Sequence, residues 1–275
     1  MKLFIDTASL DEIEKAYAAG IVDGVTTNPS LLKKAVDEMK KKKRKLDLAT
    51  YITEILTVAK GTPVSLEVAS TDANDMIEEG TTLYNRFNPV ANNVVIKIPI
   101  NTSLTGKAKN TEGLRAIRSL VQARIPVNVT LVFTPEQALL AAKAGATYIS
   151  PFVGRVDDYI RAVHGIGFEK ADYYPAEGYT HAGKHLSDNG LVSGVDLVKQ
   201  CVTIIKTYGF KAQVLAASIR NTRQLREAAL AGAHVATVPF EVLQQALVHP
   251  KTVEGMKQFT DDVPNEYVRL AKGKK

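Results

Sequence analysis

Residues 144–152, Ala-Gly-Ala-Thr-Tyr-Ile-Ser-Pro-Phe, and residues 231–240, Ala-Gly-Ala-His-Val-Ala-Thr-Val-Pro-Phe, follow one order: the end of a helix, a glycine, a short apolar run, then Pro-Phe. A helix closed by glycine and returned at once into a strand is the turn of a βα unit, and its recurrence marks a weak internal repeat of stacked units. The same return stands at Ala18-Ala19-Gly20. Short apolar runs recur between longer amphipathic stretches at Leu3–Ile5, Ile21–Thr26, Val64–Val68, Val94–Ile98, Val127–Val129, Tyr148–Ser150, Gln213–Ala217 and His234–Val238, which makes eight candidate strands. The stretches between them carry helix starts. Ser9 with Glu12 and Thr134 with Gln137 are spaced as capping boxes, and Pro135 stands at a first helical position.

Eight βα units in 275 residues match a (β/α)8 TIM barrel, an α/β architecture whose closure leaves no sheet edge exposed. A doubly wound open sheet is the alternative. It lacks its usual phosphate-binding signatures, since no GxGxxG turn and no GxxxxGK[ST] loop follows any strand. The length fits one large domain or two small ones; the repeated units favour a single barrel over residues 1–275. To it are added a long loop insertion at about 156–190 and a C-terminal helical extension from about 252.

With 45% hydrophobic and 23% charged residues the composition is that of an ordinary globular protein. Asp6 interrupts the first apolar segment, and no uncharged run approaches the roughly 18 residues of a span, so neither a signal peptide nor a membrane helix is expected and the cytoplasm is the default. Cys201 is the only cysteine, which excludes an internal disulfide and a cysteine-built metal site. The net charge of +6 is local, because Lys40 to Lys45 supply six consecutive cations and the remainder balances. No aromatic residue interleaves that run, so a solvated face is favoured over a nucleic-acid surface.

A barrel does its chemistry at the C-terminal ends of its strands. Those ends carry Asp6, Thr27-Asn28, Glu67, Lys97, Asn128 with Thr130, Ser150 with Arg155, and Ser218 with Arg220. Lys97 is the only charge in Val94-Val95-Ile96-Lys97-Ile98-Pro99 and shares a face with Val95. A desolvated ammonium loses hydration, its pKa falls, and the neutral amine becomes a nucleophile for a carbonyl. The competing reading is a lysine that snorkels to water or makes a structural ion pair. Asp6 could cap the following helix, but Ser9 is placed for that, which frees Asp6; Glu67 interrupts a second apolar strand. Two carboxylates near a lysine supply the proton transfers of Schiff-base chemistry, against the alternative of ion pairing for stability. Asn128 and Thr130 lie two apart on one strand face, where an amide and a hydroxyl hold a water or a substrate hydroxyl. Arg155 and Arg220, each near a serine, suit a phosphate, or else form surface ion pairs.

With these residues in order the sequence resembles the transaldolases, in particular the short subfamily shared with fructose-6-phosphate aldolases. The matching segments are Phe4-Ile5-Asp6-Thr7-Ala8, Gly24-Val25-Thr26-Thr27-Asn28-Pro29-Ser30, Ser65-Leu66-Glu67-Val68, Ile96-Lys97-Ile98-Pro99, Asn128-Val129-Thr130-Leu131, Ser150-Pro151-Phe152-Val153-Gly154-Arg155 and Ala216-Ala217-Ser218-Ile219-Arg220. The resemblance implies a class I transferase of the non-oxidative pentose phosphate pathway. Lys97 would form a Schiff base with the C2 carbonyl of a ketose phosphate, sedoheptulose 7-phosphate or fructose 6-phosphate, and a dihydroxyacetone unit would pass to an aldose phosphate. Asp6 would take the C4 hydroxyl proton. Glu67 and Thr130 would hold the proton-shuttling water. Asn28, Asn128 and Ser150 would bind substrate hydroxyls, with Thr27 beside them, and Arg155, Ser218 and Arg220 would bind the phosphate. The resemblance also implies Glu and Phe in transaldolases where the aldolases have Gln and Tyr; here these are Glu67 and Phe152. No cofactor and no metal is implied, and the short subfamily suggests pentamers or decamers.

The chain departs from short members at the cationic run, at a longer Asn101–Asn110 loop, and at residues 156–190, which carry Tyr159, Tyr173, Tyr174, Tyr179, His164, His181 and His185. His181 and His185 are spaced i, i+4, but Gly183 between them weakens a helix and no further ligands are evident, so a lid or a subunit contact is favoured over a metal site. From Thr252 onward a helix broken near Pro264 places Met256, Phe259 and Val263 on one face, suited to a neighbouring subunit. The nearest alternative function is a fructose-6-phosphate aldolase or another Schiff-base aldolase. A more distant one is a catalytically silent barrel binding sugar phosphates or nucleic acid.

Overall fold

The computed structural model describes residues 1–41, 47–105 and 111–272. In chain order the elements are β1 (Lys2–Asp6), α1 (Leu10–Ala18), β2 (Gly24–Thr26), α2 (Pro29–Lys41), α3 (Leu48–Val58), β3 (Val64–Glu67), α4 (Ala73–Ala91), β4 (Val94–Pro99), α5 (Glu112–Gln122), β5 (Val127–Val132), α6 (Pro135–Ala144), β6 (Tyr148–Pro151) and α7 (Val153–Val163). They continue with β7 (Thr180–His181), β8 (Lys184–His185), α8 (Gly194–Thr207), β9 (Gln213–Ala216), α9 (Thr222–Leu230), β10 (Val235–Val238), α10 (Phe240–Gln245), α11 (Pro250–Asp261) and α12 (Asn265–Ala271). Strands β1–β6, β9 and β10 close into one barrel in chain order, each pairing parallel with its neighbours, while β7 and β8 form a separate antiparallel hairpin. The expected (β/α)8 TIM barrel is therefore the fold, and the open sheet is excluded.

Strand period 2 sorts the side chains into two cores. One lies between strands and helices and contains Ile96, Ile98, Val127, Val129 and Ile149. The other fills the barrel axis with Phe4, Val95, Tyr148, Leu215, Ala217 and Val235, with Phe152 packed against it; Phe4 and Tyr148 meet edge to face at 5.7 Å. One step up the same faces come Asp6, Lys97 and Ser150. The period that fills the axis thus delivers polar residues to its C-terminal mouth. Gly24 makes room for this packing, since a Cβ there would stand 2.7 Å from the Phe4 ring and 2.8 Å from the Pro63 carbonyl oxygen.

Several local expectations change. The second strand begins at Gly24 rather than Ile21, because Asp23 is held by its own bonds: its N–H donates to the Leu3 carbonyl at 2.7 Å and its carboxylate accepts from the Leu3 N–H at 2.9 Å. Ser9 is the N-cap of α1 but makes no side-chain cap bond. The hydroxyl of Thr7 instead accepts the Ser9 N–H at 3.0 Å and donates to Glu12 at 2.6 Å. The capping box of Thr134 and Gln137 is complete, with Pro135 in the first turn.

Residues 156–163, read as the start of a loop, belong to α7, whose buried Val153, Val156 and Ile160 recur at helical spacing. The irregular segment runs from His164 to Ser193. The terminal helix starts at Pro250, two residues before Thr252, capped by His249 Nδ1 accepting from the Lys251 N–H at 3.1 Å. Lys40 and Lys41 end α2; the rest of the cationic run and residues 106–110 of the Asn101–Asn110 loop lie outside the described residues.

Candidate active site

Register brings the central group together: Glu67 on β3 pairs with Lys97 on β4, and Lys97 with Asn128 on β5. Lys97 is 6% exposed. Its Nζ stands 3.0 Å from Glu67 Oε2 and donates to the Thr27 carbonyl oxygen at 3.3 Å. Thr27 in turn donates its hydroxyl to the Ser65 carbonyl at 2.8 Å, fixing the β2 end against β3. The amide of Asn128 bridges two hydroxyls, donating to Ser65 Oγ at 3.2 Å and accepting from Ser150 Oγ at 2.7 Å. Beyond Val129 the β5–β6 register shifts, and Leu131 adopts φ 57°, a left-handed conformation that interrupts the alternation. Thr130 sits just before this irregularity; its hydroxyl is buried and has no hydrogen-bond partner among the described residues. A buried orphan hydroxyl two residues beyond Asn128, opposite Pro99 on β4, is a place for a water or a substrate oxygen.

Asp6 ends β1 and accepts from Thr26 Oγ1 at 2.7 Å, and Thr26 shares a second short contact of 2.5 Å with Thr237. Burial raises the Asp6 pKa, opposed by the Thr26 bond and by the charge of Lys97. A carboxyl whose proton affinity is lifted is suited to taking and returning a proton. Asn28 immediately precedes α2, with its Oδ1 accepting from the Leu31 N–H at 3.0 Å.

The opposite side of the mouth is built where α7 meets the end of β9. Val153 and Gly154 donate their N–H groups to the Ala217 and Ser218 carbonyls at 2.9 and 3.1 Å. Gly154 permits this approach, because a Cβ would lie 2.6 Å from the Ser218 oxygen and 2.7 Å from Arg220 Nε. Ser218 itself has φ 59°. Arg155 and Arg220 line one cavity of about 620 Å3 together with Phe133, Asp158, Tyr159 and Phe168. Arg155 lies over the Phe152 ring at 5.1 Å, and Phe152 packs on Phe133 at 5.6 Å. Arg220 is held by both carboxylate oxygens of Asp158, Nη2 to Oδ2 at 2.5 Å, and by the Lys170 carbonyl at 3.2 Å. The structure therefore gathers Asp6, Thr27, Glu67, Lys97, Asn128, Thr130 and Ser150 at one polar centre. Arg155, Ser218 and Arg220 gather at the other side, with Asn28 on the helix start between β2 and α2.

Sequence reasoning passed over Asp158, three residues after Arg155, and its neighbour Asp157. A pair of adjacent carboxylates just behind a candidate phosphate arginine was the available signal. His181 and His185 face each other's neighbours across the β7–β8 hairpin, Thr180 opposite His185 and His181 opposite Lys184, so the i, i+4 helical pair does not form. Among the described residues no group of three or more His, Cys, Asp or Glu is placed to hold a metal ion, and no helix is long and apolar enough to cross a membrane.

Residues 3–272 match the family described as Transaldolase/Fructose-6-phosphate aldolase. Among curated relatives, the chain is 42% identical over 262 residues to a probable transaldolase of Chlorobium phaeobacteroides, covering 95% of this chain and 96% of that one. It is 40% identical to a probable transaldolase of Alkaliphilus metalliredigens, over 95% and 97% of the two chains, and 41% identical to one of Thermoplasma volcanium, over 95% of each. A family match across nearly the whole chain joins a closed parallel barrel with a buried lysine–carboxylate pair at its mouth, and the chain belongs to the transaldolase/fructose-6-phosphate aldolase family.

Proposed function

We propose that this protein is a transaldolase, a transferase that moves a dihydroxyacetone unit from a ketose phosphate to an aldose phosphate in pentose phosphate metabolism. The observation that carries the reading is Lys97, enclosed within a parallel barrel and held 3.0 Å from Glu67. The ammonium must shed a proton before its nitrogen attacks the C2 carbonyl, and Glu67 is within reach of that proton, directly or through a water bonded to Thr130. Loss of water from the carbinolamine gives the imine on Lys97, an electron sink for the next step. Asp6 then takes the C4 hydroxyl proton as the C3–C4 bond breaks, the aldehyde leaves, and the three-carbon unit stays bound as an enamine. Addition of this enamine to a second aldehyde and hydrolysis of the new imine complete the transfer.

Ser150, Asn128 and Asn28 are assigned to hydroxyls of the three-carbon unit, with Thr27 holding Lys97 through its carbonyl. Arg155, Ser218 and Arg220 are assigned to the phosphate. Phe152 favours transfer over release, because its ring presents no hydroxyl to protonate the waiting enamine. Borohydride reduction with fructose 6-phosphate, followed by peptide mass analysis, is expected to place the adduct on Lys97; an unmodified Lys97 in the folded protein overturns the mechanism. Omitting the acceptor separates the two family activities. A transaldolase stalls near one turnover, whereas a fructose-6-phosphate aldolase releases dihydroxyacetone steadily.

Cytoplasmic residence is the matching assignment, supported by a single cysteine, Cys201, which is buried with its thiol pushed up to about 12 by desolvation and so kept as thiol. Assembly into a homo-oligomer is supported by the C-terminal helices. Neither α11 nor α12 buries a residue, and Val253, Met256, Phe259, Tyr267 and Leu270 are all exposed.

A further inference from the structure

We propose that Asp157 is a positioning residue for the phosphate end of the site: through the side chain of Gln224 its carboxylate fixes the backbone of Arg220. This rests on the assignment of Arg220 to the phosphate and adds to it the device that holds that arginine in place.

Asp157 is 1% exposed, and none of the steps above uses it. Its Oδ1 accepts the Gly194 N–H at 2.7 Å and its Oδ2 accepts from Gln224 Nε2 at 2.8 Å. Gln224, also 1% exposed, accepts the Arg220 N–H on its Oε1 at 2.9 Å. The starts of α7, α8 and α9 therefore meet on one carboxylate. They meet closely, since a Cβ on Gly194 would lie 2.1 Å from the Val153 carbonyl oxygen.

A primary amide is asymmetric, with one end that only donates and one that only accepts. A carboxylate only accepts, so Asp157 obliges Gln224 to turn its NH2 inward and leaves the amide oxygen for the Arg220 N–H. A donor on the facing atom of residue 157 reverses that choice. Gln224 then turns its oxygen toward residue 157 and sets its NH2 against the Arg220 N–H, donor against donor. The chain loses the bond that pins Arg220.

Protonation supplies such a donor. Burial lifts the Asp157 pKa to about 7, offset in part by the bonds from Gly194 and Gln224 and by the charge of Arg161, while Asp158 adds to the rise. The groups whose charge bears on Asp157 are Arg161 and Asp158 on its own helix; Tyr174 faces it from the inserted segment, and α8 and α9 meet it with the Gly194 and Gln224 amides. Arg161 is engaged elsewhere, donating to the Asp172 and Tyr173 carbonyls at 3.2 and 2.8 Å. The carboxylate form dominates above about pH 7 and the acid below it.

The test uses inorganic sulfate, whose charge is constant between about pH 6 and 8, as a competitor of fructose 6-phosphate on the full-length enzyme. The inhibition constant of the wild type is expected to rise about tenfold from pH 8 to pH 6, the scale of one lost hydrogen bond. That direction is opposite to what the growing positive charge of the protein would give. Asp157→Asn is expected to show the weaker constant at both pH values, with borohydride trapping at Lys97 retained. The double variant Asp157→Asn with Gln224→Glu restores an acceptor for both the new amide at position 157 and the Arg220 N–H, and is expected to recover sulfate affinity to within about twofold of wild type at pH 8. A wild-type constant that is flat or falls toward pH 6 overturns the proposal without any variant. So does a double variant that melts with wild type yet binds sulfate no better than Asp157→Asn. Arg220→Lys separates the two layers: an unchanged sulfate constant there removes the phosphate assignment itself, and the proposal with it.

Discussion

Replacing Lys97 with Met and Glu67 with Gln together is expected to make the barrel more stable while ending its chemistry. The two charged ends lie 3.0 Å apart, with the side chains only 8% and 14% exposed. Withdrawing each ion from water costs several kcal/mol, and the attraction repays that only where the remaining protons and lone pairs are also bonded. Lys97 carries three protons, and the bonds found for its Nζ are to Glu67 and the Thr27 carbonyl. Exchange of such a pair for neutral groups of similar size stabilises by about 1–4 kcal/mol; the residual access of Glu67 to water places the expectation at about 1–2 kcal/mol. With an unfolding entropy of about 2.1 cal/mol/K per residue, a chain of this length gains about 2–3 °C in Tm. Lys97→Met alone leaves Glu67 without its cation and is expected to lose about 2–3 kcal/mol, or about 4–5 °C. Differential scanning calorimetry at one protein concentration and one scan rate reads both. A double variant that melts below the wild type refutes the reasoning, since the pair would then be a net source of stability rather than a cost borne for reactivity.

Asp6→Asn keeps an acceptor for Thr26 but cannot take the C4 hydroxyl proton; turnover should fall by about 100- to 10,000-fold while borohydride still traps the donor on Lys97, and loss of trapping would place Asp6 earlier in the sequence. Folded Asp157 binds its proton more tightly than the unfolded chain does, about 7 against an ordinary 3.8, so its contribution to stability is fully present below about pH 4 and is withdrawn as pH rises through about 7. The swing is at most about 4 kcal/mol. Urea denaturation of wild type and Asp157→Asn across that range should show the wild type losing ground steadily, and parallel curves would contradict it. In sedimentation velocity the full chain is expected to run as an oligomer and the chain cut before Leu247 as a monomer; equal sedimentation of the two, after allowance for mass, would contradict the role proposed for α11 and α12.

Much of the fold and of the candidate site is legible in the sequence because strand period and hydration are local. Spacing alone places Lys97 on the Val95 face, and Val95 lies in the axial core. The start of the second strand is not legible in the same way, because hydrophobicity cannot distinguish Ile21, which is exposed, from Val25, which pairs within the sheet. At α1 the capping spacing marks the helix start, yet the hydroxyl that bonds Glu12 is that of Thr7, two residues upstream of Ser9. The aromatic and histidine residues after Arg155 obscure the helical recurrence of Val153, Val156 and Ile160. Asp157 and Gln224 are 67 residues apart and Arg220 is 62 from Asp158. Neither pairing has a local signature, because each exists only once the barrel brings the start of α7 to the segment that opens α9.

The β7–β8 hairpin gives the barrel a natural seam. Its four paired residues are exposed, Ala182 and Gly183 form the turn at φ 49° and 77°, and a Cβ on Gly183 would touch nothing within 4 Å. A cut at that tip leaves one piece bearing β1–β6, with Asp6, Glu67 and Lys97, and another bearing β9 and β10, with Ser218 and Arg220. The second piece belongs between β6 and β1, where two rows of ladder hydrogen bonds await it. The chain is therefore divisible into a piece that carries the buried lysine–carboxylate pair together with Arg155 and a piece that carries Ser218 and Arg220, so the side chains proposed for the phosphate come together only on reassembly, which would be scored by the return of activity on phosphorylated substrates.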